Sequence, residues 1–354
     1  MSTATTEDAR PVTGVPVRVG RMSLRAHPRA IVVVVALLAA TSGLAVLEML
    51  TGDFPLTYTQ LVDTLGGAGT GGQKYVVFDL RLPRVAVAVL VGAALGISGA
   101  IFQSLSRNPL GSPDIIGFAS GSATGAILVL VVFGGGITQI ALGSILGGIA
   151  AAVAVYGLAH RTGVQGYRLI LIGIGVTAVL GSLNTYILTR AGLRQAQAAQ
   201  VWLVGSLNGR GWSEVLPVAV ALVLLLPAGV VLGRKLNLLE MGDETATMLG
   251  VRVESTRLLL VVVSVALTAV ATACAGPIAF VALAAPQLAR RLAGSSGPAL
   301  LPAAAMGAAL LLGGDVLSQR AFGQNALPVG VATAALGGVY LAWLLATEWR
   351  SGRR

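Results

Sequence analysis

Arg81 and Arg84 stand three residues apart in the segment RLPR, at the edge of a long apolar run. Two guanidinium groups at that spacing suit pairing with carboxylates or an anionic ligand. They also suit cations that snorkel at a membrane surface. A second polar group breaks the apolar sequence at residues 107–114. Pro109 and Pro113 remove backbone donors there, and Asn108 and Ser112 offer side chains that cap the groups set free. With Leu110 between them, these residues fit either a plain helix-ending turn or a gate at the mouth of a pathway. A third group lies in RKLNLLEMGDETATMLGVRVESTR, residues 234–257. Glu240, Met241, Gly242, Asp243 and Glu244, followed by Thr245 and on to Leu249, read as a short helix that Gly250 stops. Asp243 and Glu244 fall in its first turn, where they complement the helix dipole. Leu239, Met241, Met248, Leu249 and Val251 put apolar groups among those charges. That mixture fits a helix docking on a partner, or one lying on lipid headgroups.

The chemistry these groups support is recognition, gating and docking rather than bond-making. The only histidines, His27 and His160, fall outside the apolar runs, and the single cysteine, Cys274, sits in an apolar segment where packing is its expected role. No cluster of metal-ligating residues and no G-x-x-x-x-G-K-[ST] phosphate loop occurs. All 14 acidic residues lie in tails, loops or near the ends of apolar runs. None marks a proton relay at mid-membrane, although backbone carbonyls remain available to Na⁺.

The elements that must hold these groups are membrane helices. Of 354 residues, 55% are hydrophobic and 11% charged, where a soluble domain carries about 25% charged. Ten apolar runs near the roughly 20 residues that cross a bilayer as helix are expected, at about 30–50, 84–105, 115–133, 137–159, 169–189, 215–233, 256–275, 277–292, 298–316 and 328–347. The fold class is all-α and polytopic. Residues 1–29 form a basic tail, expected to be disordered, ahead of an uncleaved first span. Residues 30–349 form one transmembrane domain, with 350–354 as a short C-terminus. Residues 51–80 read as a polar segment holding one amphipathic piece at 58–65, and 201–207 can dip into the surface. The eighth run, GPIAFVALAAPQLARRL, is broken by Gly276, Pro277 and Pro286 and suggests a discontinuous helix. With the break at 107–114, it hints at an inverted repeat.

An even number of spans puts both ends on one side, and the basic residues choose which. Only Lys74, Arg81, Arg84, Arg190, Arg194, Arg210 and Arg320 of the 24 Lys and Arg fall on the far side, so both termini are expected in the cytoplasm. The same spread argues against a nucleic-acid surface as the reason for the net charge of +10. The 47 glycines supply small faces for close helix packing. Examples are VGAALGISGA at 91–100 and the four-residue spacing of Gly117, Gly121 and Gly125.

Four stretches together resemble the FecCD-type permeases of iron-chelate and vitamin B12 importers. They are RLPRVAVAVLVGAALGISGAIFQSLSRNPLGSPDIIGFASG, MGDETATMLGV, GPIAFVALAAPQLARRL and ALPVGVATAALGGVYLAWLL. The resemblance covers about residues 52–345, and the run at 99–118 is most similar to permeases for ferric enterobactin. It implies a ten-span subunit with the type II ATP-binding-cassette importer fold. Such a subunit is non-catalytic and carries no cofactor, because two cytoplasmic ATPase subunits use the ATP and Mg²⁺. It implies a second permease subunit, similar or identical, an extracytoplasmic siderophore-binding protein, and a place in the cytoplasmic membrane. The cargo implied is a ferric siderophore; haem or cobalamin is the alternative within the family, and an ion-coupled carrier the alternative outside it. By position, Glu240, Met241, Gly242, Asp243, Thr245, Leu249, Gly250 and Val251 would form the coupling helix on the ATPase. Asn108, Pro109, Leu110, Gln165 and Gly166 would belong to the cytoplasmic gate. Arg81, Arg84 and Arg320 would meet the binding protein. Three positions depart from the family pattern: Gln287 replaces a histidine, Ala326 a glutamate and Gln319 an arginine. The last two fit pairing with a non-identical partner permease.

Overall fold

Hydrocarbon offers no partner to backbone N–H and C=O groups, so apolar runs of Leu, Val, Ala and Gly close their own hydrogen bonds as helices. The computed structural model of the chain describes residues 15–19, 22–26, 28–113, 117–160, 166–295, 297–321 and 327–351. The helices are α1 (Pro28–Leu50), α2 (Tyr58–Leu65), α3 (Gly71–Lys74), α4 (Leu82–Ser106), α5 (Phe118–Ile127), α6 (Ile137–His160) and α7 (Gly166–Arg190). They continue as α8 (Leu193–Val204), α9 (Trp212–Glu240), α10 (Asp243–Met248), α11 (Val253–Ala275), α12 (Val281–Ala293), α13 (Leu300–Arg320) and α14 (Val329–Ser351). Seven helical stretches among the described residues are long and apolar enough to cross a membrane. The stretch Phe118–Val132, the short α12 and the 23-residue α14 occupy the remaining expected positions. With 13 residues, α12 is about 20 Å long, too short to cross a core of about 30 Å alone.

The centre of the bundle is α4. Over its apolar window 78% of residues are buried, against 6% for α1, so α4 is a core post and α1 faces outward. Glycine makes the core possible. A Cβ on Gly92 would overlap the Gly307 carbonyl on α13, one on Gly96 the Ala303 carbonyl, and one on Gly99 the Ala282 carbonyl on α12. The expected small face on α5 works the same way, with Gly121 and Gly125 against Gly147 and Gly143 of α6. Between α4 and α11, Ser98 Oγ lies 2.7 Å from the Ser264 carbonyl and 2.7 Å from Thr268 Oγ1, all buried. The hydroxyls of Ser98, Ser264 and Thr268 thus satisfy one another and the Ser264 carbonyl inside the bundle.

Three expectations need correction. The polar segment 51–80 is shorter than its composition suggests. The expected amphipathic piece is α2, but a capping box at Thr70 and Gln73 starts a second helical stretch, which runs on through a π-helical segment, Tyr75–Arg81, into α4. Val77 is buried on it while Lys74 and Asp79 face out, so one apolar face suffices to extend the helix. The sixth run continues as α9 to Glu240, because Leu236 and Leu239 carry its buried face past Arg234 and Lys235. The basic tail, expected to be disordered, contains an antiparallel hairpin. Val15–Val19 pairs with Met22–Ala26, Val15 opposite Ala26, where β-branched residues favour strand.

Polar contacts define two opposite ends of the bundle. At one end, Arg29 at the start of α1 donates through Nε to the Leu292 carbonyl at the end of α12, 2.7 Å away. The Arg291 guanidinium lies over the Trp343 ring of α14, 5.5 Å from its centroid. The beginning of α1 and the latter part of α14 therefore share a face. The C-termini of α4, α9 and α12 lie on that face too.

Candidate gate and coupling site

The chain leaves α4 through a left-handed residue. Arg107 has φ 48 and ψ 34, a conformation that usually calls for glycine and costs a side-chain-bearing residue about 1–2 kcal/mol. Its amide and that of Asn108 turn back to the Gln103 carbonyl, the latter at 3.2 Å. Asn108 Oδ1 then accepts from the Leu110 amide at 2.9 Å, and the Gly111 amide donates to the Asn108 carbonyl at 2.9 Å. A Cβ on Gly111 would overlap Ser106 Oγ. The proline-rich stretch is thus a tight, internally capped turn, with Pro109 and Leu110 exposed at its tip.

What holds Arg107 in this conformation lies on another element. Its Nε and one Nη donate to the Leu239 carbonyl at the end of α9, at 3.1 and 2.7 Å. The same Nη bonds Asp243 Oδ1 of α10 at 2.6 Å, and Asp243 Oδ2 accepts from Arg257 of α11 at 2.8 Å. Partial burial pushes the Asp243 carboxyl up, but Arg257 first and then Arg107 outweigh it and hold it below the usual carboxylate range. The expected short helix is therefore real, begins at Asp243 and is fastened to the turn. Gly242 and Gly250, with φ of 120 and 81, permit the sharp entry to α10 and exit from it. Met241, Met248 and Leu249 are 68%, 80% and 59% exposed. Leu239 and Val251, expected to be part of the same apolar surface, instead turn into the core, because they close the ends of α9 and the loop against the bundle.

The turn is fastened on its other side by α12. Gln287 donates to the Pro109 carbonyl at 2.6 Å and accepts from the Tyr340 hydroxyl of α14 at 3.2 Å. Close by, Gln103 donates to the Leu283 carbonyl at 2.9 Å and accepts from Arg290 at 2.6 Å.

At the opposite end, Arg84 meets Asp315 in a two-pronged pair, both bonds 2.8 Å. Glu48 lies 3.8 Å from Arg84, and Gln319 donates to both Glu48 and Asp315. Arg81 donates to the Met49 and Phe54 carbonyls at 2.6 and 2.7 Å. Arg320 is exposed and reaches the Leu47 carbonyl and Thr51 Oγ1. All three arginines thus gather at one end, with Arg84 engaged by carboxylates of its own chain. Between the two ends lies a recess of about 590 Å³ walled by α5, α8, the α11–α12 linker and α14. Ala119, Val204, Pro277, Ile278, Val331 and Ala334 line it, and among the described residues no charged one does.

Residues 33–347 match the FecCD transport family. This chain belongs to that family. It is 49% identical over 300 residues to the ferric enterobactin transport system permease protein FepG of Escherichia coli (strain K12), covering 85% of this chain and 91% of that one. It is 37% identical over 331 residues to the achromobactin transport system permease protein CbrC of Dickeya dadantii (strain 3937), covering 92% and 91%. A metal-chelate type ABC transporter in an inward-facing conformation superposes with a TM-score of 0.81 at 29% identity, covering 90% of this chain and 99% of that one. The fold is that of an ABC transporter permease.

Within this FecCD-family chain, Arg107 joins the turn that holds Asn108, Pro109 and Leu110 to the Leu239 carbonyl and to Asp243 of the segment 240–251. Gly166 opens α7; Gln165 and Ala326 lie outside the described residues. Sequence reasoning missed Arg107, Arg257, Gln287 and Tyr340 as members of the site. Arg107 was legible only as one more basic residue, because nothing in its type announces a left-handed backbone. Gln287 did carry a signal, as the polar residue after a proline inside an apolar run.

Proposed function

We propose that this chain is the membrane-spanning subunit of an importer that carries a ferric siderophore across the cytoplasmic membrane, driven by a separate ATPase. One observation carries the reading. The segment 241–249, with α10 at its centre, exposes Met241, Met248 and Leu249 while Asp243 ties it to the turn after α4. Exposed apolar side chains beside charged ones, on a segment fastened to the bundle, fit a surface that a partner covers. The partner fitting this family is a pair of ATPase subunits, which would use the ATP and Mg²⁺. The iron cargo follows the relatives, whose names specify ferric enterobactin and achromobactin transport.

The same geometry supports a reading of the rest of the assembly. The apolar recess is half a pathway wall, completed by a second permease subunit. The end of the bundle holding α10 is rich in Arg29, Arg107, Arg257, Arg290 and Arg291 and would be cytoplasmic by the positive-inside rule, with both termini there. Asn108, Pro109, Leu110, Gln165 and Gly166 would form the inner gate. Arg81, Arg84 and Arg320 would face an extracytoplasmic binding protein whose acidic groups complement them, Arg84 with its charge already shared with Asp315.

Purification in mild detergent, with uptake of iron-55 siderophore in proteoliposomes, tests this. ATP-dependent uptake with a co-purified ATPase is the expected result, and deleting residues 243–249 should release the ATPase. Uptake by the chain alone without ATP would refute the reading.

A further inference from the structure

The turn at residues 107–111 is held from two sides by different helices. On one side Arg107 bonds the Leu239 carbonyl and Asp243, at the junction of α9 and α10. On the other, Gln287 joins the Pro109 carbonyl, 2.6 Å away, to the Tyr340 hydroxyl of α14 at 3.2 Å. Gln287 is 5% exposed, so both its bonds form where water competes little and losing either leaves a buried amide group unsatisfied. The helix it reaches is the one that carries Val331 and Ala334 into the wall of the apolar recess. The turn itself is short, capped by Asn108, closed around Gly111, and strained at Arg107. A strained, over-determined turn moves as a body rather than bending, which makes it a transmitter of displacement.

We propose that Arg107 and Gln287 are positioning residues that make this turn a lever between α10 and α14. The inference rests on the importer reading above, with α10 seated on the ATPase. A shift of α10 pulls Arg107 through Asp243 and the end of α9. The turn passes that shift through the Pro109 carbonyl to Gln287, and Gln287 passes it to Tyr340. The recess wall then moves in step with the ATPase. No bond is made or broken in the covalent sense; the lever sets how much chelate moves for each ATP spent by the partner. Arg257 shares Asp243 and anchors the pair to α11, so α10 stays attached to the bundle while the turn responds.

The test uses the complete transporter, this chain with its partner permease, ATPase and binding protein, in liposomes. Ferric-chelate uptake and ATP hydrolysis are read in the same vesicles. The variants are Gln287→Leu, Tyr340→Phe and the two combined; Tyr340→Phe removes one hydroxyl and keeps the ring, so it tests the lever even if Gln287→Leu misfolds. The expected result is a fall of about 2- to 30-fold in chelate moved per ATP, the range seen for residues that carry coupling. The double variant should be no worse than Gln287→Leu, because the two act in series. Chelate moved per ATP indistinguishable from wild type in Tyr340→Phe, or a double-variant loss equal to the product of the single losses, would overturn the lever while leaving the importer intact. Wild-type uptake that needs no ATPase would overturn both.

Discussion

Removing Arg84 should cost this bundle more than any other single charged-residue change at the end that gathers Arg81, Arg84 and Arg320. The guanidinium is 18% exposed and pairs with Asp315, whose carboxylate is 1% exposed, through two bonds of 2.8 Å. Arg84→Ala leaves Asp315 beside Glu48, itself buried, with Gln319 as their shared donor. Breaking a buried pair from one side costs about 3–5 kcal/mol, since the remaining charge is stranded. The second carboxylate adds repulsion and puts the cost at the upper end. The cluster joins α1, α4 and α13, so the loss should appear as global unfolding rather than local fraying. At a few degrees per kcal/mol, the midpoint of thermal unfolding in detergent should fall by roughly 5–15 °C. The control is Arg84→Met combined with Asp315→Leu, which removes the pair and refills its space; it should recover more than half of the loss. A melting point for Arg84→Ala equal to wild type would refute the argument. So would a double variant no better than the single, which would show that packing, not charge, holds this end.

Three other outcomes follow from the geometry. Gly96→Leu drives a side chain into the Ala303 carbonyl, and the backbone shift required exceeds the roughly 1–3 kcal/mol of ordinary overpacking; the yield of monodisperse protein on size exclusion should collapse, whereas Gly175→Leu, with open space at its Cβ, should leave it intact. Met248→Asp puts a charge on the most exposed apolar side chain of α10 and should strip the ATPase in a pull-down while the melting point of the isolated chain holds. The Asp243 carboxyl titrates below its ordinary value of 3.8 in the folded chain, so its attachment to Arg107 and Arg257 is complete above that value and is lost as pH falls through the lowered one; protease cleavage near residues 241–252 should be flat from neutral pH to about pH 5 and rise only in stronger acid, while Asp243→Asn should be cleaved readily at every pH.

Helix positions were the most legible part of the chain, for a physical reason. A run of apolar residues can satisfy its backbone in only one way, so composition reveals structure directly. Residues 58–65 announced α2 by periodicity, and the broken eighth run announced a half-helix. Extensions past the apolar runs were harder. Nothing in Arg234-Lys235 says that Leu236 and Leu239 continue a buried face, since burial is decided by a neighbour distant in sequence. The same limit explains the site. Asp243 was read from local rules as a helix-start acid, yet its partners are Arg107 and Arg257. Arg84 was read as a cation for an external acid, yet it holds an internal one. Charge and spacing give the chemistry a residue can do; only the fold decides with whom.

The distribution of close contacts says where such a molecule can move. Backbone overlaps avoided only by glycine clamp α4 to α13 at Gly92 and Gly96 and to α12 at Gly99. The Ser98 hydroxyl fixes it to α11, and Arg84, near its N-terminus, fixes it to α13. A helix so held cannot slide without breaking several contacts together, and packed interfaces of this kind switch between arrangements rather than flex. By contrast, only 17% of the apolar window of α7 is buried and 28% of that of α9, so far fewer contacts resist their displacement. The fixed post and the movable helices meet at the turn after α4. Its left-handed arginine is bonded to the end of α9, and its proline carbonyl to the helix that contacts α14. The polar, proline-bearing turn is therefore placed where rigid and mobile parts join, a position where an interruption of helix does more than a continuation could.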